Sequence, residues 1–380
     1  MNKKSLRFPA ALLAAMLLAT MLAAPAQAAE KEKTILLTFT GDCTIGSDST
    51  TFGRPRSFVE TALLKGYDWF FANFKEMFAG DDCTVINLES VLTDYTSNEQ
   101  KNKVYRFRGP RDYVNILKTV SIEACNLANN HTYDFGAQGL QWTQATLDEN
   151  GIAWFMLYNT WDFVKDGIRI RFFSVDSRNL SGMFDWLKAE IARTKQEKEA
   201  DAVVAIFHGG MEYSGWRDAA QQRFAEVTIG NGADLVIMHH PHVVQGIDII
   251  NQRTVCYSLG NFVFGGNNEI RTEPYREVMV TSLYSLVVQA ELHFAEDGKY
   301  KGQQITLYPA YISGDPPHND YQPRLVNGAD GQLVFTAVQW DTKFALPDYD
   351  NEAGRIVMPY LPARAGVTTV DSGAGMEGIQ

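Results

Sequence analysis

Short apolar runs closed by polar clusters recur along the first two-thirds of the chain and alternate with segments of helical periodicity. Residues 34–40 end in Gly41-Asp42, residues 83–88 are followed by Glu89, and residues 122–128 by Asn129-Asn130-His131. After an apolar run at 168–175, the runs 202–207 and 234–238 close in His208 and in His239-His240-Pro241-His242. Runs of this length with polar boundaries fit buried strands. Helical patterns fall near 69–78, 112–118, 138–149, 183–198 and 216–231. Strands alternating with helices predict an α/β domain. In open sheets of that class ligands bind beyond the carboxyl ends of the strands, so five clusters far apart in sequence can converge at one edge.

Beyond Gly246 the pattern lengthens into alternating strands at 247–250, 254–258, 278–294 and 304–310, which are expected to complete a second sheet. The domain is therefore drawn over 33–312. Residues 313–380 carry Pro316-Pro317 and then, from Ala365, small and polar residues, and read as a C-terminal extension closing in a disordered tail.

The N-terminus has a different character. Lys3, Lys4 and Arg7 precede an apolar stretch at 8–24, then Ala26-Gln27-Ala28 and a charged segment. This is the layout of a secretory signal peptide over 1–28 and predicts export to the cell envelope or beyond. An uncleaved signal anchor is the alternative, although 8–24 is at the short edge of a membrane span. The first cysteine is Cys43, too far along for a lipoprotein anchor.

With 380 residues, 45% hydrophobic and 21% charged, the chain can build one large core. Its formal charge is -11, and without residues 1–28 it is -14, from 31 basic and 45 acidic residues. That balance argues against nucleic acid as a partner, because duplex binding rests on basic side chains that neutralise phosphates. Cys43, Cys83, Cys125 and Cys256 lie in or beside apolar runs without CxxC spacing, which argues against a zinc knot. Export would permit disulfides, and buried free thiols are the alternative.

The clusters hold Asp42, Asn87 with Glu89, Asn130 with His131, His208, and His240 with His242. Singly, each has an ordinary explanation: Gly41-Asp42 as a turn or cap, and His208-Gly209-Gly210 as a turn. Asn129-Asn130-His131 is harder to account for, since it would leave buried donors without evident partners. Four of the seven histidines fall at strand ends, three of them within 239–242. Mixed oxygen and imidazole donors suit divalent Mn, Fe or Zn better than calcium.

The ordered set Gly41-Asp42, Asn87-Leu88-Glu89, Asn129-Asn130-His131 with Asp134 and Gly136, His208 with Glu212-Tyr213, His239-His240-Pro241-His242-Val243-Val244-Gln245-Gly246 and Ser258-Leu259-Gly260-Asn261-Phe262 resembles the CapA-type family. That family is the capsule and poly-gamma-glutamate synthesis branch of the calcineurin-like metallophosphoesterase superfamily, and the motifs span roughly 34–265. The resemblance implies an α/β/β/α sandwich, two mixed sheets flanked by helices, with two divalent ions at one edge. It implies that Asp42 and His242 hold one ion, that Asn130, His208 and His240 hold the other, and that Glu89 bridges. His131 would give a proton to the leaving group, oriented by Asp134. The chain departs from the phosphoesterase pattern where Asp42-Cys43-Thr44 stands for Asp-x-His and Glu89 for Asp.

Arg106 and Arg108 could receive a carboxylate-rich substrate by bidentate pairing, or could lie on a solvated strand edge. Glu212 and Asn261 are further candidates for substrate contacts, Asn261 as a shaper of the loop beside the metals. The resulting expectation is a metal-dependent hydrolase or transferase acting on gamma-glutamyl amide bonds, with an anionic envelope polymer or gamma-glutamyl peptide as partner and a membrane polymer synthase as a further one. The alternatives are an extracellular phosphoesterase and a non-catalytic accessory protein that binds polymer or synthase.

Overall fold

The computed structural model describes residues 32–275 and 279–363, and in it the chain lays two mixed sheets face to face. The expected signal peptide and the tail from 365 lie outside the described residues. The first sheet centres on β1 (Lys33–Thr44), which runs parallel to β3 (Cys83–Leu88), itself followed by β6 (Ala124–Asn126) and β7 (Ala153–Phe155). On its other side β1 pairs parallel with β14 (Asn261–Phe264) and antiparallel with β15 (Tyr284–Phe294), beyond which lies β16 (Tyr300–Tyr311). The second sheet has the order β12 (Ile247–Ile250), β13 (Arg253–Cys256), β11 (Leu235–His239), β10 (Ala202–His208), β9 (Ile168–Asp176) and β8 (Leu157–Lys165). A small third sheet joins β2 (Ser47–Asp48), β5 (Phe107–Gly109) and β4 (Val91–Leu92).

Side-chain alternation explains the layering. Ala202, Val204 and Ile206 of β10 point into the core between the sheets with Ile35, Leu37 and Phe39 of β1. Val203, Ala205 and Phe207 point the other way, against the helices α5 (Ser177–Gln196) and α6 (Ala219–Gly230). Both faces of the strand are buried, which is why it reads as an unbroken apolar run. The outer face of the first sheet is covered by α1 (Phe58–Lys65), α2 (Lys75–Ala79), α3 (Val114–Lys118) and α4 (Gly136–Glu149) through Phe58, Phe78, Ile116 and Leu147. The layers are therefore α/β/β/α, as expected.

The pattern misassigns some elements. Only β12 and β13 complete the second sheet; β15 and β16, expected there, extend the first. The helix expected near 69–78 is broken into single turns before the short α2, while α1 lies upstream of it. The segment after 312 is tied into the sandwich as far as it is described. Arg324–Leu325, Ile356–Val357 and Leu361–Pro362 pair with β16, and α7 (Gly328–Trp340) sends Val334, Phe335 and Val338 into the inter-sheet core. All four cysteines are free and buried. Burial pushes the Cys43 and Cys256 thiols up to about 12, so they behave as inert core residues.

Candidate metal centre

Strand register lines up the polar ends. In the first sheet Asp42 stands opposite Asn87 on one side and Asn261 on the other, and Asn87 stands opposite Asn126. In the second, Asp176, His208 and His239 form one row across β9, β10 and β11. The two rows meet at the carboxyl edge of the sandwich. Gly41 permits the close pass of β1 by β14, because a Cβ there would sit 2.3 Å from the Gly260 carbonyl oxygen. After β11 the chain turns sharply through His240 and His242, whose φ values of 101° and 58° are in the left-handed region. Non-glycine residues held there cost about 1–3 kcal/mol each and concentrate at functional sites.

The side chains of the two rows converge. Asn87 Nδ2 donates to Asp42 Oδ1 at 2.7 Å and lies 3.1 Å from His208 Nδ1. Asn130 Oδ1 lies 3.0 Å from His208 Nε2, and Asn261 Oδ1 lies 2.8 Å from His242 Nδ1. Asp42 is ringed by imidazoles, with His239 Nδ1 at 3.3 Å, His242 Nδ1 at 3.4 Å and His208 Nδ1 at 3.9 Å. Glu89 Oε1 faces His208 Nε2 at 3.5 Å and both His242 Nε2 and His131 Nε2 at 3.8 Å.

Glu89 is fully buried, yet among the described residues neither carboxylate oxygen has a hydrogen-bond partner, and the same holds for Nδ1 of His239 and His240. A buried carboxylate without donors costs several kcal/mol unless a cation sits beside it. Two groups of potential ligands have their atoms within 4.8 Å of one another: Asp42, Glu89 and His208, and Glu89, His240 and His242. Both contain Glu89. They join Asp42 with His208 rather than with His242, although His242 also lies beside Asp42. The orphaned donors and their oxygen-nitrogen chemistry fit two borderline divalent ions.

The buried charges of the cluster shift one another strongly. Burial and the Asp42 charge push the Glu89 carboxyl well up. Burial also works against ionised Asp42, but the His239 and His242 imidazoles beside it hold it well below the usual carboxylate range. Burial lowers His208 well below its ordinary value and His240 to about 3. His242 resists burial and rises to about 10 because Glu89 and Asp42 face it.

Beside this cluster, His131 Nδ1 lies 2.6 Å from Asp134 Oδ2 and its ring stacks on Phe107 with centroids 4.1 Å apart. Asp134 also accepts the Phe107 amide at 2.7 Å and Lys103 Nζ at 2.7 Å. Lys103 Nζ is 2.9 Å from His131 Nδ1 as well, but it has Asp134 and the Asn130 carbonyl as acceptors. A carboxylate can only accept, so we assign the Nδ1 proton to the bond with Asp134, leaving Nε2 to face Glu89. Burial depresses His131 to about 4.

Not every candidate joins the cluster. Arg106 is committed to Glu99 and to the Lys103 and Val104 carbonyls. Arg108 donates to the Thr93 carbonyl and lies over the Phe52 ring. Glu212 stands half-exposed at the rim, 4.0 Å from His240. Lys103 and Asn126 complete the site without a usable sequence signal, whereas His239 stands in the histidine cluster that the sequence displays: Asn126 acts through Asn87, to which it donates at 2.9 Å, and Lys103 comes from an irregular loop.

Residues 36–266 match the family model described as Bacterial capsule synthesis protein PGA_cap. The chain is similar to the capsule biosynthesis protein CapA of Bacillus anthracis, 29% identical over 265 residues, 63% of this chain and 62% of that one. It is 28% identical to the PGA biosynthesis protein CapA of Bacillus subtilis over 226 residues, 53% of this chain and 58% of that one. A protein of Mycobacterium tuberculosis named "Probable polyglutamine synthesis accessory protein" is 27% identical over 228 residues, 50% of this chain and 59% of that one. The match thus spans about three-fifths of the length of these curated relatives. A hypothetical protein from Thermus thermophilus superposes with a TM-score of 0.42 at 14% identity, over 72% of this chain and 99% of that one.

Proposed function

The chain belongs to the bacterial capsule synthesis protein family PGA_cap, and from that membership we propose that it is an exported metal-dependent hydrolase or transferase acting on gamma-glutamyl amide bonds of an envelope polymer. The observation that carries this reading is Glu89: a fully buried, unpartnered carboxylate common to both groups of metal ligands. Asp42, Glu89, His208, His240 and His242, with Asn130, would hold two divalent ions. These would polarise the scissile carbonyl and acidify water.

The chain's own residues supply the proton path. Asp134 fixes the His131 ring through Nδ1, so Nε2 is the atom that exchanges protons. At neutral pH the ring is uncharged and Nε2 can take the proton that an attacking water or polymer amine loses. The same proton then passes from Nε2 to the leaving amide nitrogen as its bond to carbon breaks. Phe107 covers one face of the ring and limits access of bulk water.

A second reading, a polymer- or synthase-binding accessory protein, draws on the name of the mycobacterial relative. The buried His131–Asp134 pair favours the catalytic one, because a binding surface has no need of a desolvated imidazole next to a carboxylate pocket. Export rests on residues 1–28 of the sequence. The deciding experiment is an assay of the metal-loaded protein on gamma-glutamyl peptides and on a generic phosphodiester, with His240→Ala as control. Cleavage of the peptides alone, lost in the variant, is expected; cleavage of the phosphodiester alone would replace the substrate class, and cleavage of neither would support the accessory reading.

A further inference from the structure

A gamma-linked glutamyl chain keeps a free carboxylate on the carbon next to each amide nitrogen, so an enzyme that cuts it meets a negative charge a few bonds from the reacting centre. The site itself is lined by carboxylates, and the chain is acidic overall. Productive approach therefore needs a local cation. Arg106 is held by Glu99 and by the Lys103 and Val104 carbonyls, Arg108 donates to the Thr93 carbonyl and lies over the Phe52 and Phe135 rings, and Arg271 is tied to the carbonyls of Glu273 and Pro274.

Two other cations converge on the turn that carries Asn130 and His131. Arg178, in the first turn of α5, donates through Nη2 to the Asn129 carbonyl at 2.6 Å. Lys103, from the loop before β5, donates to the next carbonyl, that of Asn130, at 2.7 Å. Lys103 is occupied by its acceptors and contributes charge. Arg178 is different: its side chain is 47% exposed, and among the described residues its carboxylate partner is Asp176, whose Oδ1 accepts from Nε at 3.5 Å. That carboxylate already receives the amides of Arg178 and Asn179 and the Asn179 side chain. A guanidinium carries five donors, so most of the fork of Arg178 remains available beside the metal-ligand turn.

We propose that Arg178, backed by the charge of Lys103, is the receiver of the substrate carboxylate on the Asn129-Asn130 flank of the metal centre, and that it selects polymers with a free carboxylate beside the scissile amide. The proposal rests on the gamma-glutamyl reading above.

Titration calorimetry on the Mn-loaded full chain tests it, with a gamma-glutamyl oligomer and the same oligomer amidated at every free carboxylate. The wild type is expected to favour the acidic oligomer about tenfold or more, the size of one charge-assisted bidentate contact. Arg178→Gln should abolish most of that preference while binding of the amidated oligomer changes less than about threefold, and Arg178→Lys should restore part of it, because a point charge lacks the fork. A general folding or metal defect would weaken both oligomers together and would overturn the assignment. So would an Arg178→Gln protein that keeps the full preference, with the gamma-glutamyl reading left standing. A wild type that binds neither oligomer would remove that reading and this proposal with it.

Discussion

Asp134 Oδ2 lies 2.6 Å from His131 Nδ1, and the same carboxylate accepts Lys103 and the Phe107 amide, so the side chain that orients the imidazole is itself fixed by two further bonds. Its replacement by Asn would keep the shape but remove the charge and turn one of the two acceptor oxygens into a donor, so the tautomer is no longer fixed. Asp134→Asn is expected to lower the rate of gamma-glutamyl cleavage by about 10²–10⁴-fold while metal content stays at the wild-type level. Steady-state kinetics beside elemental analysis check this, and activity within about twofold of wild type would remove His131 from the proton path.

Glu89 sets up a conflict between stability and function. Its carboxyl is pushed well above the ordinary 4.5 by burial and by Asp42. Above pH 4.5 the unfolded chain releases this proton while the folded chain retains it, so without metal the folded state loses ground as pH rises. Glu89→Gln removes that penalty. In chelator-treated protein the variant should melt higher than wild type at about pH 8, and the difference should shrink towards zero below the ordinary carboxyl value. With metal restored the order should reverse, because only the wild type gains stability from binding. Calorimetry in the two conditions decides, and a metal-free variant that melts lower than wild type in mild alkali would contradict the argument.

The glycine before Asp42, within β1, has a steric role that the motif alone does not convey. A methyl group at Gly41 would meet the Gly260 oxygen at 2.3 Å and the Asn261 oxygen at 2.7 Å, both backbone atoms. Gly41→Ala should therefore force β1 and β14 apart, destabilise the fold by on the order of 1–3 kcal/mol, and weaken metal binding by displacing Asp42. Denaturant unfolding and metal titration of the variant test both parts.

The row of candidate ligands was legible because each strand is buried on both faces and ends in a polar residue, as with residues 202–207 before His208. The register that sets Asp42 opposite Asn87, and His208 opposite His239, was not, since pairing between strands is fixed by tertiary packing. The strands after 246 illustrate the same limit. Their alternation was readable, but β15 chose β1 as its partner through long-range contacts that periodicity does not encode. Arg106 and Arg108 stood out by charge alone, whereas Arg178 acquires significance only when α5 brings it to the Asn129 carbonyl.

The thiols offer a check on the core. All four are free and buried, so iodoacetamide should label none in the native protein and all of them after unfolding without reductant, read by intact mass. Incomplete labelling after unfolding would reveal a disulfide.

The central claim is a two-ion centre organised by Glu89, and elemental mass spectrometry of the purified protein loaded with Mn and then desalted addresses it most directly. About two equivalents in the wild type, the stoichiometry of a two-metal site, falling to well below one in Glu89→Ala and in His240→Ala, is the predicted result. Metal-free wild-type protein, or a stoichiometry that both variants share with wild type, would contradict it.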